Sequence, residues 1–232
     1  MKHLTYTTLL FDLDHTLLDS HASEALAFED ALRLAGIEEP SRHFTAYDQI
    51  NRALWAAVER REITSGHVRA ARFEQLVAAA GLDADPVVMA DAFVAGLGMH
   101  GDLYPGVRSV LETLATQASL ALVTNGLSEV QRTRIERLDL GRYFDAVVIS
   151  SEVGAAKPST GIFDIAFELL GSPAKGSVLM VGDSLTSDIR GGNNYGLATC
   201  WYNPNHHDAG EPTRFTHEVD SLDRLPYIVA GE

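Results

Sequence analysis

Thr8-Leu9-Leu10-Phe11-Asp12-Leu13-Asp14-His15-Thr16-Leu17 is the stretch that decides the fold class. Its first half is continuously apolar rather than alternating, the habit of a strand buried on both faces, and it ends on an acid. Three later runs share this shape: Leu120-Ala121-Leu122-Val123 before Thr124, Ala146-Val147-Val148-Ile149 before Ser150, and Val178-Leu179-Met180-Val181 before Gly182-Asp183. Leu197-Ala198-Thr199-Cys200-Trp201 is a weaker fifth. Apolar residues at helical spacing separate these runs. One helix is expected to hold Pro105 in its first turn, a second to be capped by Ser128 and end near Gly141, and a third to open at Pro158 and end at Gly171. Strand–helix alternation predicts an α/β fold, a three-layer parallel sheet with right-handed crossovers. Ligands of such sheets gather at the carboxyl ends of the strands, where Asp12, Thr124 and Asp183 fall.

Residues 20–100 break the alternation. Helical periodicity runs through Ala25–Ala35, Tyr47–Arg60, Val68–Ala80 and Val87–Leu97, with Gly36 and Gly81 placed as stops. No β-rich run lies among them, so an all-helical insertion is expected between the first strand and the rest of the sheet. The stretch from Asn203 to Thr216, with Pro204, Gly210 and Pro212, reads as a surface loop.

Composition narrows the function. The chain has 232 residues, 46% hydrophobic and 22% charged, which is globular and fits one large domain or a domain with a small module. Eighteen Lys and Arg against 32 Asp and Glu leave a net charge of −14. A field of that sign repels nucleic-acid polymers and anionic membranes, but admits a small phosphorylated ligand met by a cation or a local Lys. Cys200 is the only cysteine, so neither a disulfide within the chain nor a Cys-rich zinc site is available. Asp12, Asp14 and Asp19 interrupt the first apolar stretch, and no apolar run approaches the roughly 20 residues of a membrane span, so a cytoplasmic protein is expected. The oligomeric state leaves no signature.

Four short motifs carry chemistry. Asp12 and Asp14, at i and i+2 after a buried strand, point to one side of the chain, and close like charges invite a metal or a shared proton. The plainer alternative is a strand ending in a solvated Asx-type turn. Asp183 and Asp188 offer hard oxygens of the kind magnesium selects, although Ser184 or Ser187 equally suits a helix cap. Thr124-Asn125-Gly126 offers a hydroxyl and backbone N–H groups at a strand end. Lys157-Pro158 places a lone Lys ahead of a helix.

Taken in order and at this spacing, Asp12-Leu13-Asp14-His15-Thr16, Thr124-Asn125, Lys157-Pro158 and Gly182-Asp183 with Asp188 resemble the four motifs of the haloacid dehalogenase-like hydrolase superfamily, helical-cap type. The resemblance implies a Rossmann-like core made of residues 1–19 and 101–232, with a helical cap at 20–100. It implies that Asp12 is a nucleophile forming an aspartyl phosphate, and that Asp14 is the general acid and then the base. That role needs a proton on Asp14 at the outset, so a raised pKa is expected. It also implies Mg²⁺ held by Asp12, the backbone carbonyl of Asp14 and Asp183, with Asp188 near the ion, and phosphate held by Thr124, the backbone of Asn125, and Lys157. The dehalogenase branch lacks the acid corresponding to Asp14, so a phosphotransferase is favoured; phosphomutase chemistry also suits these motifs.

Three longer stretches resemble the house-cleaning pyrimidine 5′-nucleotidases: Ile63-Thr64-Ser65 leading to Arg72-Phe73-Glu74, Ser151 to Pro158, and Ser187 to Gly192 running on to Cys200-Trp201-Tyr202-Asn203. The substrate implied is a nucleoside monophosphate, with Trp55, Arg69, Arg72 and Phe73 as candidates for reading it, since a base needs a stacking face and polar partners. Trp55 and Phe73 also fit plain helix-core spacing. The alternatives are a phosphatase for phosphoglycolate or a sugar phosphate, and a binding module without catalysis. His15 is not read as catalytic, His206-His207 reads as solvated surface, Gly191-Gly192 lacks a P-loop pattern, and Cys200 reads as inert core.

Overall fold

The computed structural model describes residues 4–210 and 213–231. Among them, six strands form one sheet: β1 (Thr8–Phe11), β2 (Ser119–Thr124), β3 (Ala146–Ile149), β4 (Val178–Gly182), β5 (Ala198–Tyr202) and β6 (His217–Val219). The order across the sheet is β3-β2-β1-β4-β5-β6, and every neighbouring pair is parallel. β1 is wholly buried at the centre, with Leu10 opposite Ala121 on one side and Met180 on the other. The chain leaves β1 toward β2 and β3, then returns to β4 and beyond, so a crevice opens at the carboxyl ends of β1 and β4.

The sheet is covered on both faces, which is why its strands read as continuous apolar runs. One face packs Leu9, Phe11, Leu120 and Leu122 against α5 (Val107–Ala115), α6 (Ser128–Arg137) and α10 (Leu225–Ala230). The other packs Leu10, Val123 and Met180 against Ile162, Phe163 and Ala166 of α8 (Thr160–Leu169). The short helices α7 (Ser150–Val153) and α9 (Arg190–Tyr195) follow β3 and a turn after β4.

The expected helical insertion is four helices: α1 (Ser20–Leu34), α2 (Phe44–Glu59), α3 (Ser65–Ala80) and α4 (Pro86–Met99). Asp19 caps α1 through the N–H of Ala22, and Asp85 caps α4 through the N–H of Val87, with Pro86 in the first turn. Gly81 ends α3 at φ +62, a left-handed conformation that a side chain disfavours. Inside, Phe28, Tyr47, Phe73 and Phe93 form one aromatic cluster with ring centroids 4.7–5.8 Å apart. Full burial of each such ring stabilises by about 1.5–3 kcal/mol.

Three expected helix starts are corrected. Pro105 lies ahead of α5, because Gly106 at φ +84 makes the turn into it. Ser128 is the first residue of α6 and not its cap; its hydroxyl donates to Glu152 at 2.6 Å. Pro158 precedes α8, which starts at Thr160 after Ser159. β6 was not expected, and Pro212 of the expected surface loop lies outside the described residues. Among those described, no helix is long and apolar enough to cross a membrane.

Candidate active site

Asp12, one residue past β1, is buried, as are Lys157 and Asp188. Lys157 Nζ donates to Asp12 Oδ1 at 2.6 Å and to the Val123 carbonyl at 2.6 Å, and it sits 2.7 Å from Asp188 Oδ1. All three ammonium protons are therefore spent on the protein. The Lys157-Pro158 peptide is cis, and Asn125 brackets Lys157, accepting from its N–H at 2.9 Å and donating to its carbonyl at 3.0 Å. Asp188 reaches the centre from a π-helical turn over Leu185–Ile189, started by Ser184, whose Oγ accepts from the Ser187 N–H. Gly182 makes room for it, since a Cβ there would lie 2.2 Å from Asp188 Oδ2. Asp183 is fixed by Thr16, which donates to Oδ1 at 3.2 Å and accepts from the Asp183 N–H at 3.1 Å.

Carboxylate oxygens of Asp12, Asp183 and Asp188 lie within 4.8 Å of one another. Three acids around one ammonium leave two negative charges uncompensated when all are ionised. Burial and the neighbouring carboxylates push Asp12 well above the usual range against the pull of Lys157, and push Asp183 up to about 7. Burial opposes the Lys157 charge, but Asp12 and Asp188 overcome it and hold the ammonium above its ordinary pKa. A donor set of hard oxygens with surplus negative charge fits a divalent ion such as Mg²⁺. The hydrogen bonds closing the turn after β1 end on the carbonyls of Leu13 and Leu18 rather than Asp14.

The Asp14 carboxylate turns elsewhere. Arg134 Nη1 donates to Oδ1 at 2.6 Å, Gln131 Nε2 to Oδ2 at 2.7 Å, and the Ser20 hydroxyl to Oδ1. Burial raises its pKa, but Arg134, Ser20 and Gln131 more than reverse that and hold it below the usual value. The raised pKa expected of Asp14 is thus corrected: a buried guanidinium makes ionisation the easier state. Arg134 also reaches into the helical insertion, donating to Ser23 Oγ at 2.8 Å and the Leu97 carbonyl at 2.8 Å. One turn along α6, Arg137 donates to the carbonyls of Gly98, His100 and Gly101.

Thr124 is fully buried and accepts from Gln131 Nε2 at 2.9 Å; it does not line the cavity. Asn125 and Gly126 do, although the Gly126 N–H is occupied by Ser150 Oγ at 3.0 Å. The phosphate-binding set read from the sequence therefore has Asn125 at the surface of the site and Thr124 and Lys157 beneath it.

A cavity of about 720 Å³ joins the strand ends to the helical insertion, and both Asp12 and Asp14 line it. From the insertion, Trp55 and Arg72 line it as expected. Arg69 and Phe73 do not. Arg69 is drawn outward to Glu129 and Asp91 at 2.5 and 2.8 Å, and Phe73 is fully buried in the aromatic cluster. Sequence reasoning missed Ser20, Glu24, Asn51, Gln131, Arg134 and Trp201. Trp201 donates from its indole nitrogen to the Asp183 carbonyl at 2.8 Å. His207 is exposed at the cavity edge, and burial pushes the Cys200 thiol up to about 12, consistent with inert core.

Comparison with known proteins agrees with this architecture. The family model of haloacid dehalogenase-like hydrolases matches residues 6–196. The pyrimidine 5′-nucleotidase YjjG of Escherichia coli is 38% identical over 95% of this chain and 96% of its own. The pyrimidine 5′-nucleotidase PynA of Streptococcus pneumoniae is 34% identical over 95% and 93%. The crystal structure of the HAD-hydrolase YfnB of Bacillus subtilis bound to magnesium superposes with a TM-score of 0.88 at 33% identity, covering 97% of this chain and 98% of that one. With its acids at the switch point of a parallel sheet and a match across most of its length, the chain belongs to the haloacid dehalogenase-like hydrolases.

Proposed function

We propose that this enzyme is a Mg²⁺-dependent phosphomonoester hydrolase acting on nucleoside 5′-monophosphates, in particular those of pyrimidines. The observation that carries the chemistry is the pair Asp12 and Asp14 lining one cavity while each is held by its own cation. Support for the substrate is the similarity to two pyrimidine 5′-nucleotidases, which runs through the helical insertion as well as the sheet. In this reading residues 1–19 and 101–232 form the catalytic core and 20–100 a cap that selects the leaving group.

Asp12 attacks phosphorus and forms an aspartyl phosphate, while Asp14 hands a proton to the departing alkoxide. Asp14 then takes a proton from the water that hydrolyses the acyl phosphate. Arg134 favours the ionised form of Asp14, so protonation for this step works against that pair. Asp12, Asp183 and the Asp14 backbone carbonyl, with Asp188 beside them, would hold Mg²⁺, which would supply positive charge against the phosphoryl oxygens. Lys157 offsets one of the two charges on Asp12 and Asp188, and it orients a phosphoryl oxygen by exchanging one protein acceptor for it. Asn125 offers its backbone to the same group, and Thr124 fixes Gln131, whose amide also donates to Asp14.

The test is phosphate release from a panel of uridine, thymidine, deoxyuridine and purine monophosphates, phosphoglycolate and hexose phosphates, with Mg²⁺ and with EDTA. The expected outcome is highest kcat/KM on the pyrimidine nucleotides and loss of turnover in EDTA. A first rank for phosphoglycolate or a hexose phosphate keeps the chemistry and replaces the substrate. No release from any substrate favours a binding module.

A further inference from the structure

The cavity has a second polar centre, in the helical insertion. Tyr47 is fully buried, and its hydroxyl donates to Glu24 Oε1 at 2.7 Å while accepting from Arg72 Nη1 at 3.4 Å. Asn51 Nδ2 donates to the same Glu24 oxygen at 2.7 Å, and Arg72 Nε donates to the Val68 carbonyl at 3.1 Å. Glu24 and Arg72 both line the cavity, yet they are bridged by the Tyr47 hydroxyl instead of pairing directly.

The protein alone does not satisfy this cluster. Arg72 is 3% exposed, and among the described residues no carboxylate pairs with it; its partners are the Val68 carbonyl, the Tyr47 hydroxyl and the Phe93 ring, 5.0 Å away, all uncharged. Asn51 Oδ1 is closed to solvent and has no partner. A guanidinium this buried calls for a further acceptor. An anionic end group suits it poorly, because Glu24 stands on the same wall. A neutral group with a donor beside an acceptor suits both: N–H to Glu24, carbonyl from Arg72. Trp55 lies one helical turn beyond Asn51, on the stripe of α2 that faces the cavity, and offers a flat face to a planar ring.

We infer that Glu24 and Arg72 form a base-reading subsite, in which Glu24 accepts the ring or exocyclic N–H of a pyrimidine and Arg72 donates to the adjacent ring acceptor. Asn51 and Tyr47 are its positioning residues, and Trp55 stacks on the ring. The inference rests on the nucleotidase reading above and names how that selectivity arises. In uridine 5′-monophosphate the groups read are N3–H and a neighbouring carbonyl.

The test compares uridine 5′-monophosphate, 3-methyluridine 5′-monophosphate and p-nitrophenyl phosphate, in the native enzyme and in Glu24→Ala. Methylation at N3 removes the donor and is expected to lower native kcat/KM about tenfold or more, mainly through KM. In Glu24→Ala that penalty shrinks to less than about threefold, and the loss on uridine 5′-monophosphate exceeds the loss on p-nitrophenyl phosphate. Equal native turnover of the two uridine nucleotides overturns the inference, whether or not the variant folds; so does an undiminished penalty in Glu24→Ala. Failure of the native enzyme to cleave uridine 5′-monophosphate while it cleaves another phosphomonoester overturns the nucleotidase reading, and the subsite with it.

Discussion

The two polar centres of this cavity are built on opposite terms. At the strand ends, Lys157 spends every proton on Asp12, Asp188 and Val123, and the surplus is negative charge on three crowded acids. In the helical insertion, Arg72 and Glu24 are held apart by Tyr47, and a buried guanidinium keeps hydrogen-bonding capacity in reserve. The first is organised around a fixed charge balance that any phosphoryl group meets alike. The second is organised around donors and acceptors that only a ligand of matching shape completes. On the proposed function, chemistry and selection fall to separate elements, strand ends in one case and helix faces in the other.

The comparison breaks most visibly at Asp12. Asp12→Asn is expected to lower kcat roughly 10⁴-fold or more on every phosphomonoester, with circular dichroism and Tm close to native. Loss confined to nucleotides would contradict the division. Lys157→Ala tests the charge balance instead. It leaves buried carboxylates without their cation, and urea denaturation in EDTA should show a stability loss of about 3–5 kcal/mol. A change below about 1 kcal/mol, the size of an exposed pair's contribution, would mean the centre is far better solvated than its geometry implies.

Arg134 ties the sheet to the insertion, because it holds Asp14 while gripping Ser23 and Leu97. Arg134→Gln should reduce kcat up to roughly 100-fold, in equal proportion for uridine 5′-monophosphate and p-nitrophenyl phosphate, because it misplaces the acid and not the base subsite. Unequal losses would move Arg134 to the selecting side. The smallest effect lies outside both centres. Burial lowers the pKa of His217, which is hydrogen-bonded to the Tyr6 hydroxyl at 2.9 Å. With the folded pKa below the unfolded one, the unfolded chain takes up the proton first as pH falls. That stability is complete above about pH 6.5 and is lost as pH drops through the folded pKa. Comparing Tm at pH 7.5 and 5.5, His217→Asn should flatten the fall by on the order of 1 °C, since the ring is only partly buried.

Legibility in the sequence followed the range of the interactions. β1 and β3 coincide with their apolar runs, β2 is one residue longer at each end and β4 one residue longer at its carboxyl end, because burial on both faces leaves a local mark. β6 left none: three residues at the sheet edge, with only Val219 buried, carry too little pattern. Asp12, Asp183 and Lys157 were readable as polar residues set against strand ends or a helix start. Arg134, Gln131, Glu24 and Asn51 were not, because a polar residue on a helix reads as solvated until packing shows which face it occupies. The same blindness placed Arg69 and Phe73 in the cavity, although one is tied to acids outside it and the other fills the aromatic cluster.

The grip of α6 on the end of α4 has a consequence for how such a molecule can be rebuilt. Arg134 and Arg137 hold the main-chain oxygens of Leu97, Gly98, His100 and Gly101, which any amino acid supplies. Gly98 and Gly101 are the exceptions on steric grounds, since a Cβ would press on Thr133 at 2.9 Å and on Ser23 at 2.8 Å, and Gly101 also holds φ +83. The joint thus works like a standard fitting: a helical segment of different sequence can be spliced onto the same hydrolytic base, provided its last turn keeps its path and those two glycines stay.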